Sequence, residues 1–60
     1  MEKKSILKAN NNAVECIGNA IYYLEKNGGK QLEIALLYKM IAELSRENES
    51  LATEISDSIL

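Results

Sequence analysis

Apolar side chains recur at alternating spacings of three and four residues through the second half of the chain. The positions that carry this rhythm are Ile34, Leu37, Ile41, Leu44, Asn48, Leu51 and Ile55. This heptad pattern places Ile at a positions, Leu at d positions and one Asn at an a position. It predicts a helix over about residues 31–58 whose apolar stripe packs against a second helix.

The first half of the chain keeps the same rhythm. Its positions are Leu7, Asn10, Val14, Ile17, Ile21 and Leu24. They predict a helix over about residues 5–27, and Gly28 and Gly29 separate it from the second helix. Glycine just past a helix C-terminus adopts the left-handed backbone that ends a helix at little cost. The chain is therefore predicted to be all-α, a single domain (1–60) of two helices and a short turn.

Three consecutive asparagines, residues 10–12, offer another start for the first helix. Asn disfavours helix interiors, and Asn12 followed three residues later by Glu15 echoes a capping box. In that alternative the helix begins at Ala13 and the first dozen residues form a separate arm. The apolar rhythm continues across the Asn run, which favours the continuous helix.

A two- or three-residue turn makes the helices antiparallel, so residues in one layer should have numbers with a constant sum. Six pairs sum to 58, namely Leu24 with Ile34, Ile21 with Leu37, Ile17 with Ile41, Val14 with Leu44, Asn10 with Asn48 and Leu7 with Leu51. The two asparagines fall in the same layer, where each amide can bond the other. These twelve residues form the predicted hairpin seam.

An extended parallel zipper is the alternative, in which Asn48 pairs with its own copy. Ile at a and Leu at d do favour parallel dimers. However, the flanking e and g positions of the second helix bring no opposite charges together across such a dimer. The hairpin is therefore the preferred interpretation.

Further apolar and small residues flank the seam on both helices. The predicted oligomer or partner interface comprises Ile6, Ala9, Ala13, Cys16, Ala20, Tyr23, Ala35, Leu36, Tyr38, Met40 and Ala42. One hairpin seam cannot cover so wide a stripe, and a 60-residue chain is marginal on its own. We expect two hairpins to form a homodimeric four-helix bundle, or one hairpin to dock on another protein.

The composition limits the kinds of catalytic and metal-binding sites that the chain can form. The sequence has no His, one Cys and a net charge of −2. Without His, Cys16 lacks its usual activating base and a Cys/His zinc site is excluded, so we predict no catalytic, cofactor or metal site. Cys16 lies on the alanine-rich stripe and is predicted to be a packed thiol, while Glu43, Glu47 and Glu54 are predicted to form a solvated ridge.

Several features bear on where the protein works. The longest apolar run, residues 34–37, is far shorter than the roughly 20 residues of a membrane span. No apolar segment follows the charged start as in a signal peptide, and one unpaired Cys fits a reducing compartment. We expect a cytoplasmic protein without a membrane partner. Met1 and the lack of tag-like segments lead us to expect a complete small protein.

The predicted function is that of a non-enzymatic interaction module, a self-associating hairpin that regulates, sequesters or chaperones a protein partner. The architecture resembles that of the Rop plasmid-copy-number proteins, dimers of helical hairpins that bind RNA, although no motif is shared. That resemblance suggests a nucleic-acid-binding bundle as the alternative, whose basic residues would be Lys3, Lys4, Lys8, Lys39 and Arg46. The acidic net charge disfavours it. A purely structural assembly module is a third possibility.

Overall fold

Two helices packed side by side make up the protein. A computed structural model describes residues 2–59, apart from the side chain of Ile59. Helix α1 spans Lys3–Lys26 and helix α2 spans Gln31–Ile59, and they form a hairpin measuring 48 × 16 × 14 Å. The prediction of an all-α hairpin is confirmed. The observed helix ends differ from the predicted ones by no more than two residues.

Helix α1 runs without interruption through the three asparagines. The alternative start at Ala13 is not observed. The side chains of Asn10 and Asn11 both bond to α2, at 2.6–3.0 Å. These bonds offset the low helix propensity of Asn, because the amides that would otherwise compete for the local backbone are engaged across the hairpin.

The C-terminus of α1 is closed by Asn27 and Gly28. The Tyr23 carbonyl accepts hydrogen bonds from the Asn27 backbone N–H at 3.2 Å and from the Asn27 side-chain Nδ2 at 2.8 Å. Gly28 has a φ of 65°, and its N–H donates to the Glu25 carbonyl at 3.1 Å. This is one of the two bonds of a Schellman motif, and the left-handed backbone it needs is the reason for glycine here.

Two further left-handed residues turn the chain into α2. Gly29 has a φ of 128° and Lys30 a φ of 60°. The Lys30 carbonyl then accepts the Ile34 N–H at 2.9 Å, which places Lys30 at the N-cap position of α2. Lys30 is the one non-glycine residue with positive φ among residues 2–59, so the turn carries backbone strain at this residue.

The core is a single seam between the helices. All twelve seam residues are half-buried or buried, and in α2 every described residue that is not exposed belongs to the heptad stripe from Ile34 to Ile55. Within the described chain, Ile21 alone is fully buried, with 4% of its surface exposed. The other seam side chains of a lone hairpin therefore keep part of their surface in water.

Candidate protein-interaction surfaces

The predicted interface residues divide between two opposite faces of the hairpin. In each helix, residues three and four apart share a face, so the residues beside the seam separate into two flanks. The Tyr38 hydroxyl lies 3.5 Å from Glu25 Oε1. The flank of α1 that contains Glu25 and the flank of α2 that contains Tyr38 therefore lie on the same side of the hairpin. We call this side the Tyr38 face; its residues are Tyr22, Ala35, Tyr38 and Ala42.

The opposite side, which we call the Cys16 face, contains most of the predicted interface. Its residues are Ile6, Ala9, Ala13, Cys16, Ala20 and Tyr23 of α1 with Leu36 and Met40 of α2. Those nearest the seam, Ile6, Ala13 and Ala20, are half-buried, whereas the others are exposed. Small side chains (Ala9, Ala13, Cys16 and Ala20) predominate along α1 on this face, which allows another helix to approach closely.

Among the described residues, large apolar side chains are exposed only at the end of the hairpin that contains the turn. The six with the greatest exposure are Tyr22, Tyr23, Leu32, Leu36, Tyr38 and Met40. All lie near the turn, in what we call the loop half, residues 18–40; the rest of the chain is the tail half. Leu36 and Met40 are 52% and 48% exposed on the Cys16 face, and Leu32, one turn before Leu36 on the same ridge, is 71% exposed. A cluster of this kind is typical of an interaction surface.

Cys16 is exposed, which corrects the prediction of a packed thiol. The alanine-rich stripe that suggested burial is real, but α2 packs against the seam and leaves this flank of α1 uncovered. Burial of Cys16 therefore requires a second molecule.

The tyrosines near the turn contact one another. The rings of Tyr22 and Tyr23 lie edge to face, with centroids 5.3 Å apart at 75°. The Lys26 ammonium lies 5.9 Å from the centroid of the Tyr22 ring, within cation–π range. Both rings stay largely exposed, so these contacts order the aromatic surface without removing it from water.

A polar cluster interrupts the seam at the layer of Asn10 and Asn48. Asn10 Nδ2 donates to Asn48 Oδ1 at 3.0 Å and to Glu47 Oε1 at 2.6 Å. Asn48 Nδ2 donates to Asn11 Oδ1 at 2.9 Å. Asn48 thus pairs with Asn10 of its own chain, not with a copy of itself as the parallel zipper requires. These bonds require the two asparagines to lie at the same level, so they favour this register of the hairpin over shifted ones.

The charged residues belong mainly to the tail half. Lys3 Nζ lies 3.3 Å from Glu54 Oε2, with both side chains about half exposed. Glu43, Glu47 and Glu54 are all exposed, as expected of a solvated ridge, although two of them have partners on α1. Such an exposed pair contributes about 0–1 kcal/mol, so it adds little to stability.

The basic residues of the nucleic-acid alternative do not form one patch. Lys39 and Arg46 lie seven residues apart on the outer side of α2, away from the seam. The three lysines at positions 3, 4 and 8 lie in the first two turns of α1. A backbone phosphate track would need these charges along one continuous surface.

Two other kinds of site are absent from the described residues. No group of three or more Cys, Asp or Glu side chains that could hold a metal is found between residues 2 and 59. No helix in this part of the chain is long and apolar enough to cross a membrane. A shallow groove beside the turn is lined by Glu25, Gly29, Gln31, Ile34, Ala35 and Tyr38.

The sequence pattern did not identify the contribution of three residues to the polar cluster or to the Cys16 face. The residue numbers of Asn11 and Glu47 also sum to 58. The constant sum that places Asn10 level with Asn48 therefore also places Asn11 level with Glu47. Leu32 was missed because it lies on the outer side of α2, where the heptad pattern expects polar residues. Its spacing of four from Leu36 and eight from Met40 is the signal that links it to the Cys16 face.

Comparison of the chain with known protein families, characterised proteins and solved structures finds no match.

Proposed function

We propose that this hairpin is a non-enzymatic protein-interaction module that self-associates into a homodimer and regulates, sequesters or chaperones a protein partner. The proposal rests on the number of large apolar side chains that the single hairpin leaves exposed. One residue, Ile21, is fully buried in the described chain, while six large apolar side chains around the turn are exposed. Burial of such surface is the main driving force of association.

The two faces suit different binding partners. A four-helix bundle of two hairpins would cover one face of each copy and leave the other free. The Cys16 face, with its small residues, suits helix–helix packing with a second copy. The Tyr38 face has two exposed tyrosines, a residue type enriched in the energetically dominant positions of protein interfaces. We assign it to the protein partner.

Sedimentation and melting test self-association. The chain should sediment as a dimer or larger species at micromolar concentration, and its melting temperature should rise with protein concentration. A monomer whose melting temperature does not change with concentration would overturn the proposal.

Variants on the two faces locate the self-association surface. Ala20→Glu on the Cys16 face should abolish the dimer, because a charge would be buried without a partner. Ala42→Glu is the matched control, since it places the same charge on the Tyr38 face. Retention of the dimer by Ala20→Glu would exclude the Cys16 face as the self-association surface.

A further inference from the structure

Asn27 and Gly28 form the one asparagine–glycine pair in the chain. The other asparagines, residues 10–12, Asn19 and Asn48, are followed by Asn, Ala or Glu. An asparagine side chain can react with the backbone nitrogen of the next residue, and a side chain on that residue hinders the reaction. Glycine has no side chain and the widest range of backbone angles. Asn27 is therefore the asparagine whose local sequence favours this reaction most.

The reaction is deamidation, and water is its only co-reactant. The Gly28 nitrogen attacks Asn27 Cγ, so that a new C–N bond forms and the bond from Cγ to Nδ2 breaks. The proton of the Gly28 nitrogen leaves with Nδ2 as ammonia, and a cyclic succinimide remains. Water then opens the ring at either carbonyl carbon. Attack at Cγ gives aspartate, and attack at the main-chain carbonyl gives isoaspartate, in which the main chain passes through the former side chain.

The C-terminal cap of α1 holds both reacting groups away from each other. Asn27 Nδ2 donates to the Tyr23 carbonyl at 2.8 Å, and the Gly28 N–H donates to the Glu25 carbonyl at 3.1 Å. Asn27 has a ψ of 0°, so the Gly28 nitrogen eclipses the Asn27 nitrogen rather than Cβ. Ring closure therefore requires rotation about the Cα–C bond of Asn27 and the loss of both hydrogen bonds.

This cap lies where local opening costs little. Residues 25–30 are all exposed, and the last seam residue of α1 is Leu24. Helix ends open with free energies well below that of global unfolding. The bonds to the Tyr23 and Glu25 carbonyls can therefore break while the seam stays intact. Such opening frees Asn27 and Gly28 for the reaction in a chain that is otherwise folded.

Exposed asparagines inside α1 provide the contrast. Asn12 and Asn19 are exposed and lie within the helix Lys3–Lys26, each followed by alanine. In a helix interior the following N–H donates to a carbonyl one turn earlier, and this repeating pattern fixes ψ. Deamidation of these residues requires unwinding of the helix interior, whereas deamidation of Asn27 requires opening of the helix end alone.

The products would weaken the cap. The side-chain amide of Asn27 donates to the Tyr23 carbonyl, whereas a carboxylate only accepts and would face that oxygen without a hydrogen bond. Its negative charge would lie at the C-terminus of α1, where the helix dipole favours cations. Isoaspartate would also insert an extra carbon into the main chain where it begins to turn. Both products therefore disturb the junction between the two helices.

We infer that Asn27 is a site of spontaneous deamidation whose rate is controlled by opening of the α1 C-terminal cap. Because ammonia is lost, the change is irreversible, and the altered hairpin has a weaker turn. This property belongs to the single hairpin and does not depend on the proposed self-association.

Peptide mapping measures the reaction at each asparagine. The full chain is incubated in neutral buffer, beside a sample that is kept unfolded in guanidinium chloride. Digestion after glutamate releases residues 26–33, in which Asn27 is the only asparagine, and residues 16–25, which contain Asn19. Mass spectrometry measures the loss of the amide, and chromatography separates aspartate from isoaspartate. In the folded chain Asn27 should convert at least tenfold more slowly than in the unfolded chain and at least tenfold faster than Asn19.

Two outcomes of the mapping would overturn the inference. Equal rates in the folded and unfolded chains would exclude control by the cap. Conversion of Asn27 no faster than that of Asn19 in the folded chain would exclude the site. Asn27→Gln is the chemical control, since its longer side chain must close a larger ring that forms more slowly. Residues 26–33 of this variant should stay unconverted over the same period.

A second pair of variants tests the consequence for the cap. Asn27→Asp supplies one product directly, and Asn19→Asp places the same charge at an exposed position inside α1. At one fixed protein concentration, Asn27→Asp should have the lower melting temperature, because it also loses the bond to the Tyr23 carbonyl. Equal melting temperatures of the two variants would overturn the weakening of the cap by deamidation.

Discussion

The side-chain amide of Asn10 donates to the Oδ1 of Asn48 across 3.0 Å, and this bond joins the middle of α2 to the second turn of α1. It lies in an otherwise apolar seam and is partly buried. A polar pair of this kind costs stability in a non-native register, because each amide then faces an apolar group. The same amide also reaches Glu47, and Asn48 reaches Asn11, so the pair belongs to a cluster of four residues.

A double-mutant cycle on this layer tests the hairpin register. Asn10→Leu and Asn48→Leu should each lower the free energy of unfolding by about 1 kcal/mol, since the remaining amide loses one partner but keeps another. Replacing both should recover part of that loss. Urea unfolding at fixed protein concentration should give a coupling above the roughly 0.5 kcal/mol scatter of independent sites.

Asn12 provides the control for that cycle. It lies in the same run of asparagines but is exposed. Asn12→Leu combined with Asn48→Leu should therefore be additive. Additive effects for Asn10 and Asn48 as well would contradict the register.

Alanine substitutions at two glycines should have opposite effects on stability. A Cβ at Gly18 or at Gly29 would meet no atom within 4 Å, so only backbone conformation distinguishes the two sites. Gly29 has a φ of 128°, which is accessible essentially to glycine alone, and Gly29→Ala should cost about 1–3 kcal/mol. Gly18 lies within α1, and Gly18→Ala should stabilise by roughly 0.5–1 kcal/mol. Thermal melts of both variants measure the difference, and a loss of stability in Gly18→Ala would point to a close contact at this glycine in the assembled protein.

Substitution of Lys30 by glycine should stabilise the hairpin at the turn. Its φ of 60° is strained for a side chain with a Cβ, at a cost of roughly 1–2 kcal/mol. Lys30→Gly removes that strain and adds freedom to the unfolded chain, so the net stabilisation should be about 0.5–1 kcal/mol. Gln31→Gly, one residue later and inside α2, is the control and should cost about 1 kcal/mol. If Lys30→Gly were as destabilising as the control, the left-handed conformation at Lys30 would be refuted.

The hairpin follows closely from the sequence because its causes are local and periodic. The spacing of Ile34, Leu37 and Ile41 predicts a helix and its buried stripe, and two glycines between two such stripes predict the turn. The seam register required one more fact, the match of Asn10 with Asn48. Periodicity alone permits any heptad shift, whereas a buried amide needs a partner at its own level.

Three other features could not be predicted, because they depend on side-chain conformation, on contacts with other molecules or on backbone conformation at a single residue. The bond from Asn10 to Glu47 depends on a flexible carboxylate that heptad position assigns to solvent. The exposure of Cys16 could not be predicted from an alanine-rich stripe, since that pattern indicates a close helix contact without saying which molecule provides it. The left-handed conformation of Lys30 was also missed, because the residue type gives no signal for positive φ.

Ile21 and Ile55 show how burial varies along the seam, and their alanine variants test whether that difference holds in solution. Ile21 is buried in the loop half, whereas Ile55 is half-buried near the chain ends. Ile21→Ala should cost about 2–4 kcal/mol, through lost transfer energy and a cavity that two helices cannot close. Ile55→Ala removes the same atoms but should cost about 1 kcal/mol, since part of this side chain is in water already. Both should be measured by urea unfolding at one fixed protein concentration. If the two costs were equal, Ile55 would be more deeply buried in solution than it is in the single hairpin.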